Sequence, residues 1–210
     1  TVTEINEKGP TIPLYALQTL YEKIEHLNFR PQAIIFSGSL PAGLPEQVYA
    51  SLLELIPDQT IVTALDAKGL ALYEGLKAKP FIIKPNRKET EELWNVTLET
   101  DKDIHKAIDQ FLMAGCSIVT LSLDEAGAIV ASATERWRVA APFIQSVNPV
   151  GCGDAFLAGF VKGWIETGSL PESASLGVAC GTANALVQGA GKCHREDIAA
   201  FFEEIQPIKL

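Results

Sequence analysis

The chain has 210 residues, of which 26 are acidic and 17 are basic, and its formal net charge is −9. We expect neither a nucleic acid nor a membrane as a partner. The sequence has no basic block that would bind phosphate-rich surfaces, and no apolar run approaches the roughly 20 residues that cross a bilayer. The length and the hydrophobic content of 47% predict one sizeable globular domain or a large part of one.

Cysteine and histidine are scattered along the sequence. Cys116, Cys152, Cys180 and Cys193 form no C-x-x-C pair and show no zinc-ligand spacing. This usage predicts a reducing compartment, and without a secretory signal it favours the cytoplasm. No metal cluster built from cysteine and histidine is expected.

Strands and helices are predicted to alternate through the first part of the chain. The alternation of residues 1–7 indicates the tail of a strand that is already under way, so we expect that Thr1 is not the natural start. Short apolar, β-branched runs then predict buried strands at 33–37, 60–66, 81–84 and 117–123, with helices at 45–56, 67–79 and 101–115. Such alternation predicts a parallel sheet with right-handed crossovers.

The pattern changes after residue 123. Two short runs, 127–132 and 136–140, follow at once and predict antiparallel strands at one edge of the sheet. From Asp154 onward the pattern is helical, and an apolar stripe from Phe156 to Ile165 is typical of a core-facing helix. Two more helices are predicted at 171–188 and 194–205.

The turn at 148–154, Asn-Pro-Val-Gly-Cys-Gly-Asp, carries the strongest chemical signal. Gly151 and Gly153 let the backbone approach an anion closely, and the helix that follows directs free N–H groups and a positive dipole end to the same place. A carboxylate beside an anion site makes sense if Asp154 takes a proton from a hydroxyl that attacks a phosphoryl group. The alternative is that Asp154 only caps the helix or offsets its dipole.

Two other phosphate-binding patterns are excluded. A dinucleotide fingerprint would need glycine where Phe156 stands. The run 189–193 is not a Walker A loop, because Leu186 occupies the place of its first glycine and Cys193 the place of its serine or threonine.

Four unusual loops fall at predicted strand ends: 38–41, 84–89, 124–127 and 151–154. In open α/β sheets, ligands bind outside the carboxyl ends of the strands. We therefore expect these loops to surround one site, although each of them alone could be an ordinary turn.

Together these motifs resemble the ribokinase-like sugar kinases of the phosphofructokinase-B family. The resemblance covers nearly the whole chain but only the C-terminal two thirds of the family's length. The G-x-G-D core of the family signature is kept at 151–154, whereas the usual leading Asp-Thr is Asn148-Pro149 and the middle alanine is Cys152. This form, with the stretches 3–10 and 38–43, looks like the hexose-phosphate branch of 1-phosphofructokinases and tagatose-6-phosphate kinases.

The resemblance implies a role for each matching residue. Asp154 would be the general base, and the N–H groups of Gly151, Cys152 and Gly153 would stabilise charge on the transferred phosphoryl group. Asn86 and Glu89 match an N-x-x-E element that orders Mg²⁺ near the phosphates, although they also read as a turn residue and a helix-start acid. The remaining matches are Ser122 and Gly127 in the nucleotide loop, Asn184 near the adenine or merely exposed on a helix, and Ser39 near the acceptor sugar phosphate.

The resemblance also implies a fold. It predicts the α/β, three-layer, Rossmann-type ribokinase-like fold with a mostly parallel sheet, in which 1–12 is a remnant of a substrate-side lid strand and 13–210 is the nucleotide-binding and catalytic core. The N-terminal strands and most of the lid are expected to be missing. A homodimer is expected for the full-length form.

The expected function is ATP- and Mg²⁺-dependent phosphoryl transfer to a hydroxyl of a sugar phosphate of the fructose 1-phosphate or tagatose 6-phosphate type. Two alternatives stay open. The chain could be an inactive fragment or nucleotide-binding remnant of such a kinase, or part of a kinase for an unphosphorylated sugar or nucleoside. We expect the 210 residues alone to be inactive and prone to self-association.

Overall fold

One mixed sheet organises the fold. The computed structural model describes residues 9–210, and within them seven strands pair in chain order: β1 (Ala33–Ser37), β2 (Val62–Asp66), β3 (Ile82–Ile83), β4 (Ile118–Ser122), β5 (Ala128–Ala131), β6 (Arg136–Val139) and β7 (Ile208–Lys209). Strands β1 to β4 are parallel, and β5, β6 and β7 add antiparallel pairings at one edge. The predicted α/β fold and its antiparallel edge are confirmed.

Eight helices accompany the sheet within the described residues: α1 (Leu14–Glu25), α2 (Val48–Glu54), α3 (Gly69–Leu76), α4 (Arg87–Trp94), α5 (Asp101–Met113), α6 (Cys152–Thr167), α7 (Leu170–Ala185) and α8 (Arg195–Glu204). Helices α1 and α4 and strand β7 were not predicted. In helix α1 only Leu17 is buried, while Tyr21 and Ile24 pack against the core and are partly buried. The strand predicted in residues 1–7 lies outside the described residues, and 9–13 form neither helix nor strand.

The two faces of the sheet carry separate apolar cores. One core packs β-strand residues such as Leu65 and Ile83 against α2, α3 and α5. The other packs Ala64 and Ile82 against α6 and α7. Both faces are therefore covered by helices, as expected for parallel strands.

Side-chain alternation along the strands decides which polar residues face α6. Ala64 and Ile82 point to the α6 side, and successive strand residues point to opposite faces, so Asp66 and Lys84 return to that side two residues later. Ser37 is in register with Asp66 across the β1–β2 pair and shares its face. Three neighbouring strands thus end with polar side chains directed towards the start of α6.

Helices α6 and α7 pack with their backbones close together. The contact is made by four glycines, at 159, 163, 177 and 181. A Cβ atom added at Gly163 would lie 2.8 Å from the Cα of Ser173, and one added at Gly181 would lie 3.1 Å from the carbonyl oxygen of Cys152. No larger side chain fits between the two helices at these positions.

No helix within residues 9–210 has both the length and the apolar character needed to cross a membrane.

The loop between β4 and β5 depends on two residues with positive φ. Asp124 has φ +52° and begins a short 3₁₀ turn that ends at Gly127. Aspartate tolerates this left-handed region better than most non-glycine residues, so Asp124 can adopt it. Gly127 has φ +89° and ψ −128°, and a Cβ atom there would overlap the carbonyl oxygen of Val139.

Substituting Gly127 should therefore be costly. We expect Gly127→Ala to lower the free energy of unfolding by about 3 kcal/mol or more, because backbone strain and overlap with β6 add together. Gly168→Ala is the matched control: Gly168 also has positive φ, +65°, but nothing lies within 4 Å of the added Cβ, so we expect a loss of about 1 kcal/mol. Urea denaturation measures both, and equal losses would contradict the overlap.

Candidate active site

The turn before α6 is held open by glycine. Gly151 has φ +84° and precedes the first residue of the helix. A Cβ atom at this position would lie 2.8 Å from the Cβ of Ala190 and 2.9 Å from the backbone nitrogen of Gly191. Backbone conformation and the close loop at 189–191 therefore both require glycine here.

The predicted anion-binding amides are not equally free. Within residues 9–210 the N–H groups of Gly151 and Gly153 have no hydrogen-bond acceptor, whereas the N–H of Cys152 donates to the carbonyl of Pro149 over 3.3 Å. The first turn of a 16-residue helix adds its positive dipole end. The N–H groups of Gly151 and Gly153 are therefore free to bind an anion, whereas the N–H of Cys152 would have to be shared between the anion and the carbonyl of Pro149.

Asp154 is the third residue of α6 and is exposed. Its Oδ1 atom accepts a hydrogen bond of 2.7 Å from the hydroxyl of Ser37, at the end of β1. Within the described residues this is the only hydrogen bond of the carboxylate, so Asp154 does not cap its own helix through a side-chain hydrogen bond. The second carboxylate oxygen is available to an acceptor hydroxyl.

A buried ion pair lies beside this turn. Lys84 Nζ is 3.0 Å from Asp66 Oδ2, and both side chains are largely shielded from solvent. The same Nζ would lie 3.3 Å from a Cβ atom on Gly153, so a fixed positive charge stands over the start of α6. Sequence reasoning did not select Lys84 or Asp66; the available signal was that each closes a predicted strand.

Burial governs the protonation of Asp66. Burial is the largest effect and raises the pKa of the Asp66 carboxyl. The Lys84 ammonium and the Ser37 hydroxyl both oppose this rise, whereas the negative charge of Asp154 adds to it. Two carboxylates and one ammonium therefore share a small region at the edge of the sheet.

Asn86 and Glu89 form a capping box at the start of α4. The N–H of Glu89 donates to Asn86 Oδ1 over 2.8 Å, and the N–H of Asn86 donates to Glu89 Oε2 over 2.9 Å. The interpretation of Asn86 as a turn residue and Glu89 as an acid at the start of a helix is thus confirmed. Burial raises the pKa of Glu89, against its hydrogen bond from Asn86 and the nearby Lys84 charge.

The oxygens of this pair fit a partial Mg²⁺ site. Among residues 9–210 no group of three or more histidine, cysteine, aspartate or glutamate side chains is arranged to hold a metal. Mg²⁺ is commonly held by one or two carboxylates with waters and substrate phosphates. Glu89 uses one carboxylate oxygen for the cap and keeps the other, so it suits such a site better than Asn86, whose oxygen already accepts from Glu89.

The remaining predicted residues lie in different settings. Ser122 ends β4 and its N–H donates to the carbonyl of Pro85, which places it beside Asn86. Ser39 is exposed, two residues beyond β1. Gly127 lies in the loop after β4, where its own backbone geometry requires glycine.

Asn184 is completely buried, so the alternative of an exposed helix asparagine is wrong. Its side-chain nitrogen donates to the carbonyl of Val150 over 2.9 Å, and its side-chain oxygen accepts from the N–H of Gly191 over 2.8 Å. Asn184 therefore ties the turn before α6 to the neighbouring 189–191 loop.

Cys152 is a half-buried residue at the start of α6. Burial raises the pKa of Cys152, and the hydrogen bond from Asn184 opposes that rise only in part. Cys152 acts as a small residue in the place of alanine.

A glycine turn at a helix N-terminus, with a carboxylate at its rim and a buried lysine beside it, is typical of an α/β kinase. A family model described as pfkB family carbohydrate kinase matches residues 3–197. The chain belongs to this family of carbohydrate kinases.

Two curated relatives and one solved structure show the extent of the match. The chain is 34% identical to a tagatose-6-phosphate kinase of Staphylococcus epidermidis, over 99% of this chain and 68% of that protein. It is 31% identical to a 1-phosphofructokinase of Borreliella burgdorferi, over 97% and 66%. The Escherichia coli phosphofructokinase-2 in complex with potassium superposes with a TM-score of 0.87 at 28% identity, over 95% of this chain and 65% of that one. The chain thus spans about two thirds of these proteins.

The Lys84–Asp66 pair makes a testable contribution to stability. We expect Lys84→Met to lower the free energy of unfolding by about 3 kcal/mol at neutral pH, because it leaves a shielded carboxylate without its partner. The double variant Lys84→Met/Asp66→Asn should recover most of this loss.

The loss should also depend on pH. Lys84 opposes the rise that burial causes in the pKa of Asp66, so removing Lys84 should raise this folded-state pKa further, and the loss should shrink as pH falls and the buried carboxyl binds a proton. Urea denaturation at a series of pH values from neutral downward tests both expectations. A double variant as unstable as Lys84→Met, or a loss independent of pH, would show that unpaired charge is not the cause.

Proposed function

We propose that this chain carries the catalytic core of an ATP-dependent kinase that phosphorylates a hydroxyl of a sugar phosphate, of the tagatose 6-phosphate or fructose 1-phosphate type. The observation that carries the proposal is the position of Asp154. Its carboxylate accepts a hydrogen bond from Ser37 of β1 and follows directly on the glycine turn, in which the N–H groups of Gly151 and Gly153 have no acceptor within residues 9–210.

Asp154 is the general base in this proposal. The acceptor hydroxyl transfers its proton to the free carboxylate oxygen of Asp154 while the hydroxyl oxygen attacks the terminal phosphorus of ATP in line. The carboxylate is exposed, so an acceptor can reach it, and its other oxygen is fixed by the Ser37 hydroxyl. Positioning the base in this way reduces the entropic cost of the attack.

Several fixed groups would stabilise the negative charge that develops on the transferred phosphoryl group. The N–H groups of Gly151 and Gly153, with a shared N–H of Cys152, face the phosphoryl oxygens at the positive end of α6. Lys84 adds a full positive charge that Asp66 holds in place. These donors are oriented before the substrate binds, so little reorganisation is required.

Mg²⁺ would be held mainly through Glu89, near Asn86, together with the phosphates of ATP. When bound, the ion neutralises charge on those phosphates. For the nucleotide we propose Ser122 and Gly127 near the phosphates and Asn184 on the adenine side. Asn184 is buried, and both its side-chain polar atoms already form hydrogen bonds. It would therefore act on the nucleotide indirectly, by positioning the turn before α6 and the 189–191 loop.

The proposed acceptor is supported by the two curated relatives, which are named for tagatose 6-phosphate and for phosphofructokinase activity. Ser39, in the exposed loop after β1, would contact that acceptor. A cytoplasmic location and a homodimer stay predictions.

A coupled ADP-release assay of the full-length gene product tests the acceptor class. Fructose 1-phosphate, fructose 6-phosphate and tagatose 6-phosphate are compared with their unphosphorylated sugars and with nucleosides. Turnover limited to the sugar phosphates supports the proposal, and faster turnover of an unphosphorylated acceptor favours the second alternative. No turnover with any acceptor, despite ATP binding, favours the nucleotide-binding remnant.

Asp154→Asn should lower kcat by about 10²- to 10⁴-fold while ATP binding is retained, because the amide keeps the shape but cannot accept the proton. Glu172→Gln is the matched control, since Glu172 is an acid in the first turn of the neighbouring α7 and lies outside the proposed site. Steady-state kinetics and ATP titration give both quantities. More than about a tenth of the original kcat in Asp154→Asn would exclude the base role.

Glu89→Gln should raise the Mg²⁺ concentration required for half-maximal rate by about tenfold or more, with little change in sugar KM, because one of its oxygens would approach the metal. Asp103→Asn is the control: Asp103 forms the same capping box with Thr100 at the start of α5, away from the site. Rates are measured against Mg²⁺ at saturating ATP. An equal and small effect of both substitutions would leave Glu89 with only its capping role.

A further inference from the structure

Ser37 stands between two carboxylates at the edge of the sheet. Its hydroxyl donates to Asp154 Oδ1 over 2.7 Å, and Ser37 is in register with Asp66, the last residue of the paired strand. A serine hydroxyl has one proton and two acceptor lone pairs, so it can donate to only one of the two at a time. The carboxylates of Asp66 and Asp154 lie close enough for their charges to interact.

The backbone of Ser37 is fixed from two directions. The single hydroxyl proton of buried Tyr49 is shared between the carbonyl oxygens of Ser37, over 3.2 Å, and Gly38, over 3.0 Å. The N–H of Gly38 donates in turn to the carbonyl of Asp66 over 2.9 Å. The strand end is therefore held in register, and the Ser37 hydroxyl is presented to α6 by rigid elements rather than by a mobile loop.

We propose that Ser37 is a positioning residue for phosphoryl transfer: its hydroxyl fixes one oxygen of Asp154 so that the other is directed at the acceptor hydroxyl. This inference rests on the proposed function, because it requires Asp154 to be the base.

The charges around Ser37 support this role. Asp66 faces the hydroxyl from β2 and is paired with Lys84 from the end of β3, while Asp154 approaches from α6. Asp66 therefore already has a cationic partner, whereas within the described residues Ser37 is the only side chain that donates to Asp154. Removing the hydroxyl would leave Asp154 free to rotate and would expose it to repulsion from Asp66.

The surroundings do not require Ser37 for packing. Ser37 and Asp154 are both exposed, so losing the hydroxyl creates no buried cavity, and the shielded Asp66 keeps its partner Lys84. A substitution here should change the rate much more than it changes the stability of the fold.

The test compares Ser37→Ala and Ser37→Thr in the full-length gene product, assayed by ADP release with saturating ATP and varied sugar phosphate. We expect Ser37→Ala to lower kcat by about 10- to 100-fold with sugar KM changed by less than about threefold, because the base is displaced while the binding contacts stay. Ser37→Thr keeps the hydroxyl and should restore most of kcat. Ser132→Ala, in the β5–β6 hairpin, is a control serine with its own hydrogen bonds outside the site. Thermal unfolding of each variant checks that the fold is retained.

Each possible result either supports or overturns the positioning role of Ser37. Unchanged kcat in Ser37→Ala, equal losses in the alanine and threonine variants, or a change confined to sugar KM would overturn the positioning role; the last result would make Ser37 an acceptor contact. A full-length protein without turnover on any acceptor would overturn the proposed function, and this inference with it.

Discussion

The ion pair between Lys84 and Asp66 is the constraint around which the site is built. A lysine shielded this far from water is unfavourable unless an anion lies next to it, and the register of β2 with β3 supplies that anion at 3.0 Å. The pair fixes the end of the sheet on the side from which α6 begins. Since such a pair adds little net stability compared with apolar residues of the same size, its presence is better explained by the positive charge that it keeps at the edge of the glycine turn.

The site combines a rigid anion-binding surface with a carboxylate that would otherwise be repelled by it. The amides of Gly151 and Gly153 and the ammonium of Lys84 attract negative charge, and Asp154 stands next to them without being paired to Lys84. Asp154 does not compete with Asp66 for Lys84, because Lys84 is paired with Asp66 and Asp154 accepts a hydrogen bond from Ser37. Each carboxylate thus has a separate partner, although the two lie close enough for their charges to interact.

The sequence predicted much of this site, and there is a physical reason why it did not predict the residues that were missed. The glycine turn, Asp154 and the strand-end loops were found because glycine spacing and helix starts are local signals. Lys84 and Asp66 were missed because parallel strands are buried on both faces, so their sequences do not reveal which side chain points to which face. Only the register of three neighbouring strands shows that Ser37, Asp66 and Lys84 share a face. Helix α1 was missed although Leu17, Tyr21 and Ile24 have the i, i+4, i+7 spacing of one helix face.

The close packing of α6 against α7 has a mechanical consequence. With glycines where side chains would normally separate two helices, the two backbones approach closely, and few side chains lie between them that could rearrange when a ligand binds. The first turn of α6 and the buried Asn184 on α7 therefore behave as one stiff body, and the amide dipoles stay aimed at the same point through a reaction cycle. A stiff set of dipoles responds little as charge moves past it, which is the condition under which fixed polar groups stabilise a transition state more effectively than water can.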